Sequence, residues 1–249
     1  MYDLVLLFAT GLFAGALNAA AGGGSFLTLP ALVYAGVPSL EANASSTVAL
    51  FPGSLASAWA FRKEIRSFER VPVKAMVLLT LLGGCTGGLL LLYTPSYSFD
   101  ALVPWLLFAG TVAFAFGRQA GDFFRSRFTI SAGAILSVQF LLGIYGGYFG
   151  GAVGIMMMAC WSLFGLSDIK VINANKTLLV GVANSIAVLL FVLAGKVWWK
   201  ETCLMMAGTI LGGYFCARYV RLINPRYLRI GINIFNFLIT TAFFIRAYR

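Results

Sequence analysis

From residue 2 to residue 246 the sequence is a succession of apolar runs, separated only by short charged or turn-forming clusters. The runs cover residues 2–21, 26–36, 43–61, 71–93 and 101–117, then 129–153, 154–165, 175–195, 200–220 and 228–246. Most have the roughly 20-residue length that carries a helix across a hydrocarbon core about 30 Å thick. The runs 26–36 and 154–165 do not, because about eleven helical residues rise only about 16 Å. Each set of five repeats the order long, short, long, long, long, so the chain reads as two related halves. Hydrophobic residues fill 60% of the 249 positions and charged ones 10%, too apolar for a soluble fold of this size, in which about a quarter is charged. The expected fold class is an all-α polytopic membrane bundle of two transmembrane repeats, residues 1–117 and 129–249, joined by a basic cytoplasmic linker at 118–128. The first run lacks a basic leader and is read as a retained span.

Eighteen Lys and Arg face eight Asp and Glu, but the basic residues cluster between apolar runs, which marks topology and lipid headgroup contact rather than nucleic acid. The clusters at Arg62, Lys63, Arg66, Arg70 and Lys74, at Arg118, Arg125 and Arg127, and at Arg218, Arg221, Arg226 and Arg229 are expected to be cytoplasmic. They share a side only if each short run also crosses or turns the chain back. The N-terminus then lies outside, the second half starts inside, and the two repeats are inverted. Arg246 and Arg249 would end outside, against the charge rule.

The short runs each follow a glycine-rich break, Gly22-Gly23-Gly24-Ser25 in the first half and Gly146-Gly147-Tyr148-Phe149-Gly150-Gly151 up to Gly154 in the second. Irregular backbone at membrane depth survives only where protein buries it or where it lines a wet cavity. A helix that starts there presents free N–H groups and a positive dipole end, and glycine lets an anion approach the backbone. The competing reading is close helix packing by small residues. Polar runs supply the second signal: Ala42-Asn43-Ala44-Ser45-Ser46-Thr47 aligns with Ile172-Asn173-Ala174-Asn175-Lys176-Thr177, and Gly24 meets Gly154 in the same register. Each polar run opens a long apolar run, so one of its residues serves as a cap and the surplus amides and hydroxyls are free to donate to an oxyanion. Lys176 adds a positive charge if it faces inward, or else snorkels to the interface. The candidate binding residues are Gly22, Gly23, Gly24, Ser25, Asn43, Ser45, Ser46, Thr47, Gly154, Asn173, Asn175, Lys176 and Thr177.

Pro30 and Pro52 fall inside apolar runs and are expected to curve their helices. Asn18, Gln139 and Asn184 are expected to hydrogen-bond between helices, and Trp59, Trp161 and Trp198-Trp199 to anchor at the interface. Cys85, Cys160, Cys203 and Cys216 have neither disulfide nor metal spacing and read as packing residues. With no histidine and every acidic residue near a loop, catalysis by a carboxylate dyad or a metal is poorly supported; no cofactor and no metal are expected. Glu41 is the nearest acid available for proton coupling.

The sequence resembles the TauE/SafE family of sulfite exporters. The resemblance rests on Gly11-Leu-Phe-Ala-Gly15, Gly22–Gly24, Leu29-Pro30-Ala-Leu32, Gly36-Val-Pro38, Ala42–Thr47, Gly143-Ile-Tyr-Gly-Gly147 through Gly154 and Asn173–Thr177, nearly the whole chain. It implies a multi-pass inner-membrane permease for sulfite or organosulfonates whose glycine and Asn/Ser/Thr runs line the pathway. The chain departs from the family at Gly150-Gly-Ala-Val-Gly154, a stretch often rich in Gly and Pro. The expected function is a secondary anion transporter, not an enzyme, with alternating access around a midplane site. Its partners are a small anionic substrate and lipids, not nucleic acid, and a homodimer is compatible with the sequence. An anion channel with the same site, an assembly subunit and a membrane-embedded enzyme are the alternatives.

Overall fold

The structure is a computed structural model describing residues 2–68, 71–125, 131–163, 169–219 and 225–248. Arg70, Arg127, Gly165, Arg221 and Arg249 lie outside the described residues. Among the described residues ten helices follow one another: α1 Tyr2–Ala21, α2 Ser25–Tyr34, α3 Ser39–Ala60, α4 Val73–Tyr93, α5 Ser96–Arg125, α6 Ala132–Tyr148, α7 Val153–Leu163, α8 Ile169–Leu193, α9 Trp199–Tyr219 and α10 Pro225–Tyr248. The half-length α2 and α7 stand where the two short runs stand. An isolated bridge between Phe68 and Val71 is the only β pairing among the described residues.

Several boundaries differ from the sequence reading, and α6 stops at Tyr148 where the run continues to 153. α3 starts at Ser39 and α8 at Ile169, so the polar runs 43–47 and 173–177 sit inside their helices. No side chain caps α3, whose N-cap is Pro38 with its fixed φ. The amides and hydroxyls of both runs are thus available for work other than capping. α5 continues to Arg125, so Arg118 and Arg125 stand on helix rather than in a loop.

Apart from a contact of α3 with α5, the helices pair in a pattern that is unchanged when the first five exchange places with the second five. α1 packs on α9 as α6 packs on α4; α3 meets α9 as α8 meets α4; α5 meets α7 as α10 meets α2. Within each half, helices one, two and three touch one another in the same way, and α3–α8 and α5–α10 meet across the middle. Small residues set the two tightest crossings. Gly11 and Gly15 lie on the backbone of Met205 and Thr209, while Gly208 and Gly212 lie on Phe8 and Leu12. Gly83 and Gly87 likewise press on Phe140, Ile144 and Tyr148, with Gly143 and Gly147 on Thr80 and Gly84. Hydrophobic driving force is absent between helices in lipid, so such backbone approach carries the association.

The inward faces bury Phe26, Leu29, Leu32, Phe99, Phe149 and Phe191, whereas Leu78, Leu82, Trp105, Phe108, Phe237 and Ile245 stay exposed on the outside. An apolar belt of that extent suits lipid and not water. α4 and residues 171–193 of α8 have the length and hydropathy to cross a membrane unaided.

Gln139 bonds between helices as expected, and Trp161 corrects the sequence reading. Trp161 is fully buried, 5.4 Å from the Phe68 ring, and is no interfacial anchor. Its indole N–H donates to Gln139 Oε1 at 3.1 Å, and Gln139 Nε2 donates to Thr80 Oγ1 at 2.8 Å, tying α7 to α6 and α4. Gln139→Leu leaves the indole N–H without an acceptor, and a loss of about 1–3 kcal/mol is expected on thermal unfolding in detergent. Trp59, by contrast, is exposed, with the Arg62 guanidinium over its ring. Cys203 is exposed, so packing does not account for it.

Candidate functional site

The Gly22 N–H closes the last helical bond of α1, to Asn18 O at 2.9 Å, and its φ of +82° then turns the chain out of the helix. The ladder resumes only when Phe26 N–H reaches Gly23 O at 3.2 Å. At the matching break, Gly150 and Ala152 adopt φ +73° and +60°, and the N–H groups of Ile155 and Met156 both turn to Ala152 O. Each break therefore leaves a helix N-terminus inside the bundle, with the positive end of its dipole uncovered.

These two N-termini meet. A carbon built on Gly22 would stand 3.7 Å from Gly154 Cα and 3.9 Å from Lys176 Nζ, and one built on Gly154 would stand 3.2 Å from Lys176 Cδ. The aliphatic stem of Lys176 thus lies along Gly154, and its ammonium reaches the Gly22 break. Lys176 is only 3% exposed. Its ammonium opens on a narrow cleft lined by Asn18, Gly22, Ser54, Ser57, Thr177 and Val180. Among the described residues the one ion pair is Lys196–Glu41, at 3.0 Å, so no carboxylate neutralises Lys176. A lone buried ammonium beside two helix N-termini is a concentration of positive potential, which an anion relieves.

The cleft's polar groups are held by the helices that carry them. Asn18 Nδ2 donates to Ser54 Oγ at 3.3 Å, Ser54 to Leu50 O at 3.2 Å, Ser57 to Gly53 O at 2.9 Å and Thr177 to Asn173 O at 2.8 Å. Hydroxyls bonded back along their own helix can rotate toward a ligand. Asn18 makes its expected interhelical bond and lines the cleft as well. Ser54 and Ser57 escaped sequence reasoning; Ser54 aligns with Asn184 in the register that pairs Asn43 with Asn173, and that shared polarity was the available signal.

Of the candidate residues, Gly22, Gly154, Lys176 and Thr177 come together at the cleft; Gly23, Gly24, Asn43, Ser45, Ser46, Thr47 and Asn175 meet protein, and Ser25 and Asn173 are half-buried. Gly23 leaves space filled by Ile155 and Leu17, Gly24 is backed by Ala14 O and Leu50, and Ser25 opens α2 half-buried. Asn43 Nδ2 donates to Tyr148 O at 3.0 Å, and Thr47 donates to Asn43 O at 2.9 Å. Ser46 shares a 2.5 Å hydrogen bond with Thr28 of α2. Ser45 accepts the Trp198 N–H at 3.0 Å, so α3 holds the α8–α9 connection, beside the Lys196–Glu41 pair. Asn175 Nδ2 donates to Arg66 O at 2.8 Å, by which α8 holds the α3–α4 connection. Ser45 and Asn175 are aligned positions, so each half latches a connection of the other. Asn173 is half-buried.

A helical membrane bundle with two broken helices meeting at a buried cation has the build of a transporter. Residues 7–243 match the family model described as "Sulfite exporter TauE/SafE", and the chain belongs to that family. It is 30% identical over 238 residues to a "Probable membrane transporter protein" of Haemophilus influenzae, spanning 95% of this chain and 92% of that one. It is also 30% identical over 229 residues to "Probable membrane transporter protein YfcA" of Escherichia coli K12, spanning 89% and 84% of the two chains. A third relative, "Probable membrane transporter protein ORF9" of a Sinorhizobium species, is 30% identical over 237 residues. No solved structure matches the chain.

Proposed function

We propose that this protein is a secondary transporter, not an enzyme, that moves a small anion such as sulfite or an organosulfonate across the cytoplasmic membrane. The observation that carries the reading is the meeting of the α2 and α7 breaks at Gly22 and Gly154 beside the buried Lys176, which has no ion-pair partner among the described residues. Lys176 balances the substrate's charge, the backbone N–H groups of Gly23–Ser25 and Gly154 approach its oxygens, and Thr177, Ser54, Ser57 and Asn18 donate to them. Asn43, Ser45, Ser46, Thr47, Asn173 and Asn175 shape the pathway by holding α3 and α8 in place.

The near exchange symmetry of the helix pairing supports two repeats, residues 1–117 and 129–249, and the placing of the basic clusters on one side supports their inversion, in a multi-pass inner-membrane protein. It also bears on the motion. The glycine crossings join α1 to α9 and α4 to α6, each across the two halves, so the bodies that rock keep those pairs intact. Alternating access then makes and breaks the Ser45–Trp198 and Asn175–Arg66 latches in turn around the cleft. The narrow cleft supports a carrier over a channel open to both sides.

The test is a thermal-shift screen of purified protein with sulfite, thiosulfate, sulfate, sulfoacetate, taurine and carboxylates, because a ligand bound only by the native state raises its stability. One anion class is expected to give a saturable shift, weakened by about tenfold in Thr177→Val and in Ser54→Ala, each of which removes one hydrogen bond to charge. A shift with no anion, or one unchanged in both variants, sinks the assignment.

A further inference from the structure

A second convergence of polar atoms lies at the break between α6 and α7. Gly150 N–H turns back to Tyr145 O at 3.3 Å, which deprives Gly146 O of its helical donor. The three nearest heavy atoms to a carbon built on Gly150, its chain neighbours aside, are all oxygens: Gly146 O at 3.4 Å, Thr47 Oγ1 at 3.6 Å and Asn184 Oδ1 at 4.0 Å. Each can only accept at that point. Gly146 O is a carbonyl, Thr47 has spent its proton on Asn43 O, and Asn184 Oδ1 is buried with no hydrogen-bond donor. Thr47 is 5% and Asn184 7% exposed, so bulk water does not relieve the cluster. Three converging acceptors without a donor repel one another unless something positive stands between them.

We propose that Gly146 O, Thr47 Oγ1 and Asn184 Oδ1 form a binding site for a monovalent cation of sodium size. The ligand set is neutral oxygen from a carbonyl, a hydroxyl and an amide, which suits a hard, singly charged ion; divalent sites draw carboxylates. The carbonyl end of α6 adds the negative end of a helix dipole, and unwound carbonyls of this kind hold cations in broken-helix transporters. The other half supplies an independent argument. Thr47 and Asn184 align with Thr177 and Ser54 of the anion cleft, and Ser46 stands where that cleft has Lys176. One half carries a built-in cation at this position and the other a serine, which leaves the positive charge to be brought in from solution. Missing side-chain bulk at Gly150 is what keeps the place free, since any Cβ there would occupy it.

The test uses the full-length protein in detergent, with no sulfur oxyanion present, and follows thermal unfolding as NaCl replaces choline chloride at constant ionic strength. A saturable rise in melting temperature is expected in sodium, a smaller one in potassium and none in choline. Thr47→Val should abolish the sodium dependence, and Asn184→Asp should tighten it by about tenfold, because ligand charge sets cation affinity. Lys176→Met should leave it unchanged, which separates this site from the anion cleft; the sodium response stands even if no anion is ever found. Equal melting in the three salts, or a sodium midpoint that Asn184→Asp does not move, overturns the proposal and leaves a site for structural water only. The Asn184→Asp arm decides the matter should Thr47→Val not fold.

Discussion

Lys176→Met is expected to abolish saturable anion binding and, in the same protein, to raise the melting temperature of the ligand-free state. Most substitutions in a binding site lower both quantities or leave stability alone. Here the two move in opposite directions because the ligand-free protein carries the desolvation cost of a buried ammonium with no counter-charge among the described residues. Methionine keeps the unbranched stem that lies along Gly154 and drops the charge, so packing is retained and the cost is removed. A gain of about 1 kcal/mol or more in unfolding free energy follows. The bound anion loses its charge partner, worth about 2–5 kcal/mol, so affinity falls by about 30-fold to a few thousandfold. Lys176→Arg is expected to recover only part of the binding, because a planar guanidinium does not fit the space beside Gly22 and Gly154 as a compact ammonium does. Differential scanning of both variants with and without the screened anion reads the two effects together. If Lys176→Met binds as the wild type does, the lysine is a structural residue and the proposed site is misplaced.

Much of this arrangement was legible in the sequence, and the reason is that a bilayer leaves few choices. Runs too short to span, placed after glycine clusters in both halves, had to become half-length helices, and α2 and α7 are those helices. Register between the halves was legible from the polar runs, because Asn43 and Asn173 head the same motif. What the sequence could not convey was which members of a polar run face the cleft. On a helix, neighbours point about 100° apart, so Lys176 and Thr177 reach the cleft while Asn175 turns to Arg66 O. Side-chain direction also depends on the helix opposite: Ser46 and Lys176 are aligned, yet one meets Thr28 and the other a cleft. Trp161 was misread for the same reason, since an aromatic near a run's end looks alike whether it anchors at lipid headgroups or donates to a buried Gln139.

The larger structural effect is expected at the glycine crossings. A Cβ on Gly212 would fall on the Leu12 carbonyl, and one on Gly87 on the Ile144 carbonyl, so even alanine forces the helices apart. Backbone cannot rotate out of the way as a side chain does. The cost should therefore exceed the usual 1–3 kcal/mol of overpacking, against a total stability of about 5–15 kcal/mol. Gly212→Leu and Gly87→Leu are expected to yield no monodisperse protein on size exclusion, and Gly212→Ala to unfold well below the wild type. Gly231, inside α10 with nothing within 4 Å, is the control: Gly231→Ala should stabilise by about 0.5–1 kcal/mol, the gain of alanine over glycine in a helix. If Gly212→Ala and Gly231→Ala melt alike, the close crossing of α1 and α9 is wrong. The crossing matters to transport because it joins the first half to the second. A motion that slid one half as a unit past the other would have to open both the α1–α9 and the α4–α6 seams, giving up the contacts that hold helices together in lipid. Under the proposed alternating access, bodies that respect those seams place α1 with α9 and α4 with α6, leaving α3, α8 and the two broken helices between them to open the cleft to alternate sides.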